Sequence, residues 1–145
     1  MHIEPWGTEL LRRARVGHLA TSTKNGRPHV VPVCYAFDGK AIYSAIDEKP
    51  KRVNPAGLRR VKNVLTNPNV ALVVDEYSED WLELRYIIVE GVAAIIEVGS
   101  EHEYGIGLLR TKYPQYLAMS LETYPIIKIT PSRTITWRPQ PSVLK

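Results

Sequence analysis

The sequence is poor in the residues that would cross-link it or anchor it in a membrane. Cys34 is the only cysteine among 145 residues, so no internal disulfide can form and a disulfide-rich secreted domain is excluded. No apolar run approaches the roughly 20 residues that a membrane-spanning helix needs. The first residues do not have the basic and then apolar layout of a signal peptide. We therefore expect a cytoplasmic protein.

Familiar catalytic and metal-binding motifs are also missing. The sequence contains no Gly-x-Ser-x-Gly, no P-loop and no Gly-x-Gly-x-x-Gly. His18 and His29 fall in predicted strands, and neither has a cysteine or carboxylate at metal-ligand spacing. His2 and His102 are expected at the surface, and Cys34 is expected to be a small buried apolar residue. The sequence therefore predicts no metal site and leaves the catalytic residues unknown.

The composition that remains is that of an ordinary globular domain. Hydrophobic residues make up 44% and charged residues 23% of the chain, which argues against disorder. The length fits one domain, residues 1–145, with a hydrophobic core large enough to need no disulfide or metal cross-links. A formal net charge of +4 is compatible with nucleic acid, with phosphorylated small molecules or with neither, so the position of the charge matters more than its sum.

Most of the chain has the pattern of consecutive β-strands. Asp38-Gly39 is a strong hairpin signal, and Gly91 between two apolar runs predicts a bulge or bend. Because the strands follow one another without alternating helices, they predict a mainly β (α+β) fold, an antiparallel barrel of about seven strands with a few short helices. The predicted strands are 18–22, 28–37, 41–46, 70–74, 81–89, 92–97, 125–129 and 134–137.

Four short helices are predicted between or before these strands. The clearest has Asn54 as its cap and Pro55 in its first turn, and ends at Asn67-Pro68. Ser100 and Glu103 have the spacing of a capping box at the start of another helix. The predicted helices are 5–15, 54–66, 100–111 and 113–121.

The segment 51–62 contains five cations and no acid: Lys51, Arg52, Arg59, Arg60 and Lys62. Its middle is a predicted helix N-terminus, where backbone N–H groups and the helix dipole favour an anion. Arg59 and Lys62 share one helical face, opposite to an apolar one. A phosphate or carboxylate at this N-terminus would meet side-chain cations and backbone donors together.

Two other interpretations of this basic segment stay open. A basic helix taken alone is most often a solvated surface. A nucleic-acid patch is a second alternative, although the nearest aromatic residues are Tyr43 and Tyr77 and none is interleaved with the cations. Trp81 and Trp137, near strand ends, are more typical of core or interface anchors than of residues that stack on a cofactor.

The order of these elements resembles that of the pyridoxamine 5′-phosphate oxidase-like split-barrel superfamily. The resemblance covers roughly residues 10–137 and includes the strand Pro28-His29-Val30-Val31-Pro32-Val33, the run Arg60-Val61-Lys62-Asn63-Val64 before Asn67-Pro68, and the strand with Glu90-Gly91-Val92-Ala93. Asp47-Glu48-Lys49-Pro50-Lys51-Arg52 with Asp80-Trp81-x-x-Leu84 is similar to the branch called deazaflavin-dependent oxidoreductases.

The resemblance implies a six-stranded split barrel that forms a homodimer, with cofactors in two clefts between the subunits. It implies that Arg60 contacts the cofactor phosphate, with Arg59, Lys51 and Arg52 beside it; Lys62, from the same basic segment, is a further candidate. It also implies that the segments Val31-Pro32-Val33 and Ser44-Ala45-Ile46 flank the flavin ring, and Trp81 is a further candidate for the cofactor site. The chain does not have the C-terminal extension of true pyridoxamine phosphate oxidases, which argues against vitamin B6 oxidation.

These expectations combine into one functional hypothesis. The protein is expected to be an oxidoreductase that uses FMN, or alternatively the deazaflavin coenzyme F-420, on a small organic molecule. Because the cofactor ring carries the hydride chemistry, such a protein needs no conspicuous catalytic side chain. Two alternatives remain: a flavin-binding carrier or sensor without turnover, and a basic barrel that binds nucleic acid.

Overall fold

The computed structural model describes residues 2–46 and 58–140. Within them the chain forms three α-helices, seven strands and three short 3₁₀ turns. The helices are α1 (Pro5–Arg13), α2 (Arg59–Thr66) and α3 (Ser100–Lys112); the 3₁₀ turns are Trp81–Glu83, Pro114–Ala118 and Leu121–Thr123. The strands are β1 (Gly17–Ser22), β2 (Pro28–Val33), β3 (Ala36–Phe37), β4 (Ile42–Ala45), β5 (Asn69–Glu76), β6 (Arg85–Ile96) and β7 (Ile126–Trp137).

The seven strands form one sheet in the order β2-β1-β5-β6-β7-β4-β3, and every pairing is antiparallel. The two edge strands, β2 and β3, are separated along the chain by Cys34 and Tyr35 alone. The three steps from Val33 to Ala36 span at most about 11 Å, so the end of β2 must lie close to the start of β3 and the sheet must curl into a barrel. The predicted antiparallel barrel is thus confirmed, with the seven strands that the pattern indicates and not the six that the resemblance implies.

The extra strand arises because the predicted strand 28–37 is broken at Tyr35. The backbone N–H of Tyr35 donates to the hydroxyl of Tyr113 at 3.1 Å instead of to a neighbouring strand. The Tyr35 hydroxyl donates to the carbonyl of Leu11 at 2.6 Å, and its ring is fully buried. The chain therefore leaves β2 at this tyrosine, passes to the other edge of the sheet and pairs with β4 as β3.

The apolar side chains form two separate cores. The first fills the barrel and receives alternate residues from the strands, such as Leu19, Leu72 and Ile87. The second lies between α3 and the outer face of β4, which is why all four residues of β4 are buried. Gly105 allows α3 to approach this closely, because a Cβ there would lie 2.8 Å from the Tyr43 ring.

The predicted bulge at Gly91 is confirmed. The register between β6 and β7 shifts between Glu90 and Gly91, and a Cβ on Gly91 would overlap the carbonyl oxygen of Thr130. The bulge bends β6 without ending it. The strands predicted at 81–89 and 92–97 therefore form one continuous strand, β6, although Trp81 lies in a 3₁₀ turn before it. The strands predicted at 125–129 and 134–137 likewise form one continuous strand, β7.

Several helix ends differ from the sequence predictions. Leu58 is extended and precedes the first turn of α2, so this helix begins at Arg59; the predicted cap Asn54 and its neighbour Pro55 lie outside the described residues. The capping box at Ser100 is wrong, because Gly99 with φ of 105° precedes α3 and no side chain caps it. The predicted helix 113–121 is replaced by 3₁₀ turns. In the described part of the chain, no helix is long and apolar enough to cross a membrane.

The two helices α1 and α2 close opposite ends of the barrel. Helix α2 packs where β1 ends and β5 begins, through buried Val61 and Val64. Helix α1 packs at the other end, where Gly7 lies against Ile87 and Thr136. We call these the α2 end and the α1 end.

Candidate functional site

A split in the barrel wall opens towards the α2 end. In the described residues β2 pairs only with β1, and β4 has β3 beside it only at Ile42 and Tyr43. Ser44 and Ala45 pair with β7 on one side and with no described strand on the other. Among the described residues, β2 and β4 therefore do not pair with each other between Tyr35 and the α2 end. The backbone groups on their facing edges have no strand partner there.

One hydrogen bond closes the narrow end of this split. The Ser44 hydroxyl donates to the carbonyl of Cys34 at 2.8 Å. This bond holds Cys34, which directly follows β2, beside Ser44 of β4. The structure thus places the two segments predicted to flank a flavin ring, 31–33 and 44–46, on the two sides of the same split.

The side chains of these two segments mostly point away from the split. Val31 and Val33 pack in the barrel core, and Ser44, Ala45 and Ile46 are only 1%, 7% and 1% exposed. Pro32 alone is exposed, because it alternates with its inward neighbours. A planar ring in the split would therefore meet main-chain N–H and C=O groups of the β2 edge more than side chains.

Helix α2 presents two different faces beside the split. Arg59 and Lys62 are exposed and share one face, as predicted, while Val61 and Val64 pack in the core. Arg60 does not belong to the exposed face: it is half-buried, and its Nε is fully buried. A rotation of 100° per residue places Arg60 on the side of the helix that faces the barrel, away from the exposed face of Arg59 and Lys62.

Polar anchors that sequence reasoning missed fix this helix to β1. The Asn63 amide nitrogen donates to the Thr21 hydroxyl oxygen at 3.0 Å, and both residues are buried. One turn later, the amide of Asn67 donates to the carbonyl of Thr23 at 3.3 Å. The signal in the sequence is the spacing of Arg60, Asn63 and Asn67, which puts three polar residues on one side of a helix.

The charge of α2 is of one sign. The helix contains no acidic residue, and within the described chain Arg59 and Lys62 take part in no ion pair. Cations without carboxylate partners at the open end of the split are an arrangement suited to a phosphate or another anion.

Not all the predicted site residues are brought to this place. Trp81 is 61% exposed and follows β5 at the α1 end, a full strand length from α2. The 3₁₀ turn that carries it is capped by the Asp80 carboxylate, which accepts from the backbone N–H of Leu82 at 3.1 Å. Lys51 and Arg52 lie outside the described residues.

The outer face of the sheet carries exposed apolar side chains. Val30 is 59% exposed, and Tyr86 and Trp137 stack with ring centroids 5.8 Å apart. His18 lies on the same face between its cross-strand neighbours Pro32 and Val73. An exposed apolar sheet face of this kind is typical of an interface with another molecule.

A second cluster of titratable groups surrounds Tyr35, between β2 and β3. The Lys112 Nζ is buried and lies 4.0 Å from the ring centroid of Tyr35. Burial, with a smaller contribution from the Arg15 charge, lowers the pKa of Lys112 to about 8. Burial also raises the pKa of Tyr113, to about 12; its hydroxyl donates to backbone carbonyls, including that of Arg15 at 2.9 Å. This cluster lies on the α1 side of Tyr35 and is separate from α2.

Two minor sequence expectations also have outcomes. His102 is buried and its Nε2 lies 2.7 Å from the carbonyl oxygen of Tyr124, so its expected surface position is wrong. Cys34 is half-buried with a free thiol. The described residues contain no group of three or more potential metal ligands.

Residues 7–138 match the family model of pyridoxamine 5′-phosphate oxidase. The chain belongs to this family. The match spans both sides of the split, α2 and the outer sheet face, so the candidate site lies wholly within the part that defines the pyridoxamine 5′-phosphate oxidase family.

Solved structures share the fold of this family member at low sequence identity. A conserved hypothetical protein, Rv2991 of Mycobacterium tuberculosis, is 22% identical with a TM-score of 0.75, over 95% of this chain and 86% of the other. The heme storage protein HutZ of Vibrio cholerae is 18% identical with a TM-score of 0.72, over 95% of both chains. An F420 reductase is 22% identical with a TM-score of 0.68, over 92% of this chain and 98% of the other. No curated protein matches the sequence.

Proposed function

We propose that this protein is an oxidoreductase that binds a phosphate-bearing flavin-type cofactor, FMN or the deazaflavin coenzyme F-420, and acts on a small organic molecule. The observation that carries the proposal is the meeting, at one end of the barrel, of an open split with a helix that holds three cations and no acid. Membership of the pyridoxamine 5′-phosphate oxidase family supports it, as does the fold shared with an F420 reductase.

The residues of this chain suit the two parts of such a cofactor. Arg60, with Arg59 and Lys62, would hold the phosphate by charge-assisted hydrogen bonds. Lys51 and Arg52 remain predicted contributors. The unpaired edge of β2 at 31–33, with the end of β4, would flank the ring and offer N–H donors and C=O acceptors to its polar rim. When bound, the cofactor supplies hydride transfer; the role of the protein is to bind it, orient it and exclude water.

A homodimer with the cofactor at its interface is part of this proposal. The split is open on the side where a ring would lie, and the outer face with Val30 and the stacked Tyr86 and Trp137 is exposed in one subunit. Burying such a face in a second copy would remove it from water and cover the cofactor at the same time. Light scattering at micromolar protein should give twice the mass of one chain, and a monomer mass would contradict this.

The direct test is titration of the purified protein with FMN, coenzyme F-420 and riboflavin, followed by ring fluorescence. Riboflavin shares the ring of FMN but has no phosphate. We expect FMN or coenzyme F-420 to bind at least about tenfold more tightly than riboflavin, because one charge-assisted hydrogen bond contributes about 1.5–3 kcal/mol. Equal affinity for FMN and riboflavin, together with no binding of coenzyme F-420, would exclude the proposed site.

The alternatives are separated by two further measurements. A carrier or sensor would bind the cofactor but, once reduced, would transfer its electrons to no acceptor in a panel of quinones, nitro compounds and enones. A nucleic-acid-binding barrel would bind oligonucleotides with a steep dependence on salt concentration and would show no preference among the flavins.

Haem binding is a second candidate function, and His18 is the observation that favours it. An exposed imidazole between Pro32 and Val73 on an apolar sheet face offers an iron ligand and a flat wall for a macrocycle. The heme storage protein HutZ shares the fold. Addition of hemin should then give a Soret band that shifts in His18→Ala, whereas the flavin proposal predicts the same spectrum in both proteins.

A further inference from the structure

The buried pair Asn63–Thr21 is an unusual way to attach a helix to a barrel. Asn63 is 3% and Thr21 2% exposed, and the Asn63 Nδ2 donates to the Thr21 Oγ1 at 3.0 Å. Apart from tyrosines, the described residues contain two other buried polar side chains, Ser44 and His102. Burying polar groups costs free energy unless they bond each other, so an apolar pair would be the simpler way to hold the helix if only stability were needed.

Apolar packing alone would leave α2 poorly oriented. The helix has eight residues and no side-chain N-cap, a length that is marginal in isolation. Val61 and Val64 hold it against the core, but apolar contact is not directional and tolerates rotation of the helix about its axis. A hydrogen bond of defined length and angle does not tolerate such a rotation, and Asn67, bonded to the Thr23 carbonyl, fixes a second point one turn away.

The orientation of α2 matters because of what the same side of the helix carries. Arg60 lies one turn before Asn63 on that side, and Arg59 is adjacent to it. A rotation of about 10° displaces a group about 6 Å from the helix axis by about 1 Å. A displacement of that size is enough to break a hydrogen bond to a phosphate oxygen.

We infer that Asn63 is a positioning residue, which acts through Thr21 to fix the rotation of α2 so that Arg60 and Arg59 meet the phosphate of the bound cofactor. The inference rests on the proposed function, since it concerns the same phosphate site. The inference adds two residues, Thr21 on β1 and Asn63 on the buried side of α2. Neither touches the ligand, but together they set the affinity for the ligand's phosphate.

The test uses three variants of the full-length protein. Thr21→Val keeps the shape of the side chain and removes the acceptor oxygen. Thr21→Ser keeps the oxygen and removes a methyl group. His102→Leu is the matched control, because it removes another buried polar contact, between His102 of α3 and the Tyr124 carbonyl, away from α2. Each variant is titrated with FMN, coenzyme F-420 and riboflavin, and its Tm is measured.

Thr21→Val should weaken binding of the phosphorylated ligand by at least about fivefold, the equivalent of one ordinary hydrogen bond, and should leave riboflavin affinity within about twofold. Thr21→Ser and His102→Leu should keep the parent ratio of the two affinities, even where their Tm falls.

Two results would overturn the inference. If Thr21→Val stays folded and keeps the parent ratio of FMN to riboflavin affinity, or weakens both ligands equally, Asn63 and Thr21 serve stability alone while the proposed function stands. If the parent itself does not distinguish the phosphorylated ligand from riboflavin, the proposed function fails and this inference fails with it.

Discussion

Helices α2 and α3 both pack on the same barrel, but they use their charged residues differently. On α3, Arg110 binds the Glu122 carboxylate and the backbone carbonyls of Tyr116 and Met119, and Glu101 pairs with Lys128. On α2, the exposed cations Arg59 and Lys62 have no such partners within the described residues. The charges of α3 bind other parts of the protein, whereas the exposed cations of α2 are, in the proposed function, those that attract the ligand phosphate.

The largest test of this contrast is Arg60→Ala. We expect the affinity for FMN or coenzyme F-420 to fall by one to two orders of magnitude, because a charge-assisted hydrogen bond to phosphate of about 1.5–3 kcal/mol is lost. Since Arg60 is half-buried, a loss of about 1 kcal/mol in unfolding free energy is expected as well. Riboflavin affinity should barely change.

Ligand fluorescence and urea unfolding measure the two effects separately. Arg60→Lys is the control that keeps the charge but not the planar guanidinium group, and it should fall between the parent and Arg60→Ala. Unchanged FMN and coenzyme F-420 affinities in Arg60→Ala would mean that the phosphate lies elsewhere.

The reverse pattern is expected for Arg110→Ala on α3. Its guanidinium binds two backbone carbonyls, at 3.1 and 2.7 Å, besides the Glu122 carboxylate, so its removal should lower the unfolding free energy by about 2 kcal/mol. Ligand affinities should stay within about twofold of the parent. A variant as stable as the parent would show that the ion pair and its backbone contacts contribute little and would remove the contrast between the helices.

A smaller effect is expected for Arg59→Ala and Lys62→Ala. Both side chains are exposed, so neither substitution should alter stability by more than about 0.5 kcal/mol. Each should weaken phosphorylated ligands by about two- to fivefold, because water and salt screen the contact of an exposed cation with the phosphate. The loss should shrink when the titration is repeated at high salt, and a loss independent of salt would contradict this explanation.

The smallest effect concerns the pH dependence of stability through Lys112 on α3. Burial lowers its pKa from 10.5 to about 8. Between these values the unfolded chain binds a proton that the folded protein does not, so stability should rise with pH across this window. Below pH 8 the folded protein carries the full cost of a buried charge.

Lys112→Met should therefore raise the Tm most at pH 7, and the gain should shrink steadily between pH 8 and pH 10. Scanning calorimetry of both proteins in steps from pH 7 to pH 10 measures this difference. Above pH 10 the raised pKa of Tyr113 has the opposite sign, because the unfolded tyrosine loses a proton that the folded one keeps. A Tm difference that is constant with pH would contradict the assignment.

The features of the fold that the sequence predicted are those set by short-range chemistry. Asp38-Gly39 and Gly91 favour a turn and a bulge through their own local backbone conformation. The hairpin and the bulge are where they were expected. The amphipathic pattern of α2 likewise follows from helical spacing. By contrast, the capping box at Ser100 was wrong because the chain turns at Gly99 instead.

What the sequence could not predict depends on contacts between distant residues. Tyr35 breaks a predicted strand because Tyr113, 78 positions later, bonds its backbone. Asn63 is bound by Thr21, 42 positions earlier. The sequence shows where the cations lie along the chain. It could not predict which of them are exposed and which is half-buried.

The sheet order has a consequence for biosynthesis. The last strand of the chain, β7, is an interior strand that pairs with β4 on one side and β6 on the other. Translation from Ala45, at the end of β4, to Ile126, its partner, covers 81 positions (126 minus 45) and takes about 4–16 s at roughly 5–20 residues per second. Throughout that interval β4 and later β6 have no strand to cover their inner edges. The barrel closes only after β7 has been synthesised, so a nascent chain stalled before residue 126 should be a substrate for chaperones and proteases.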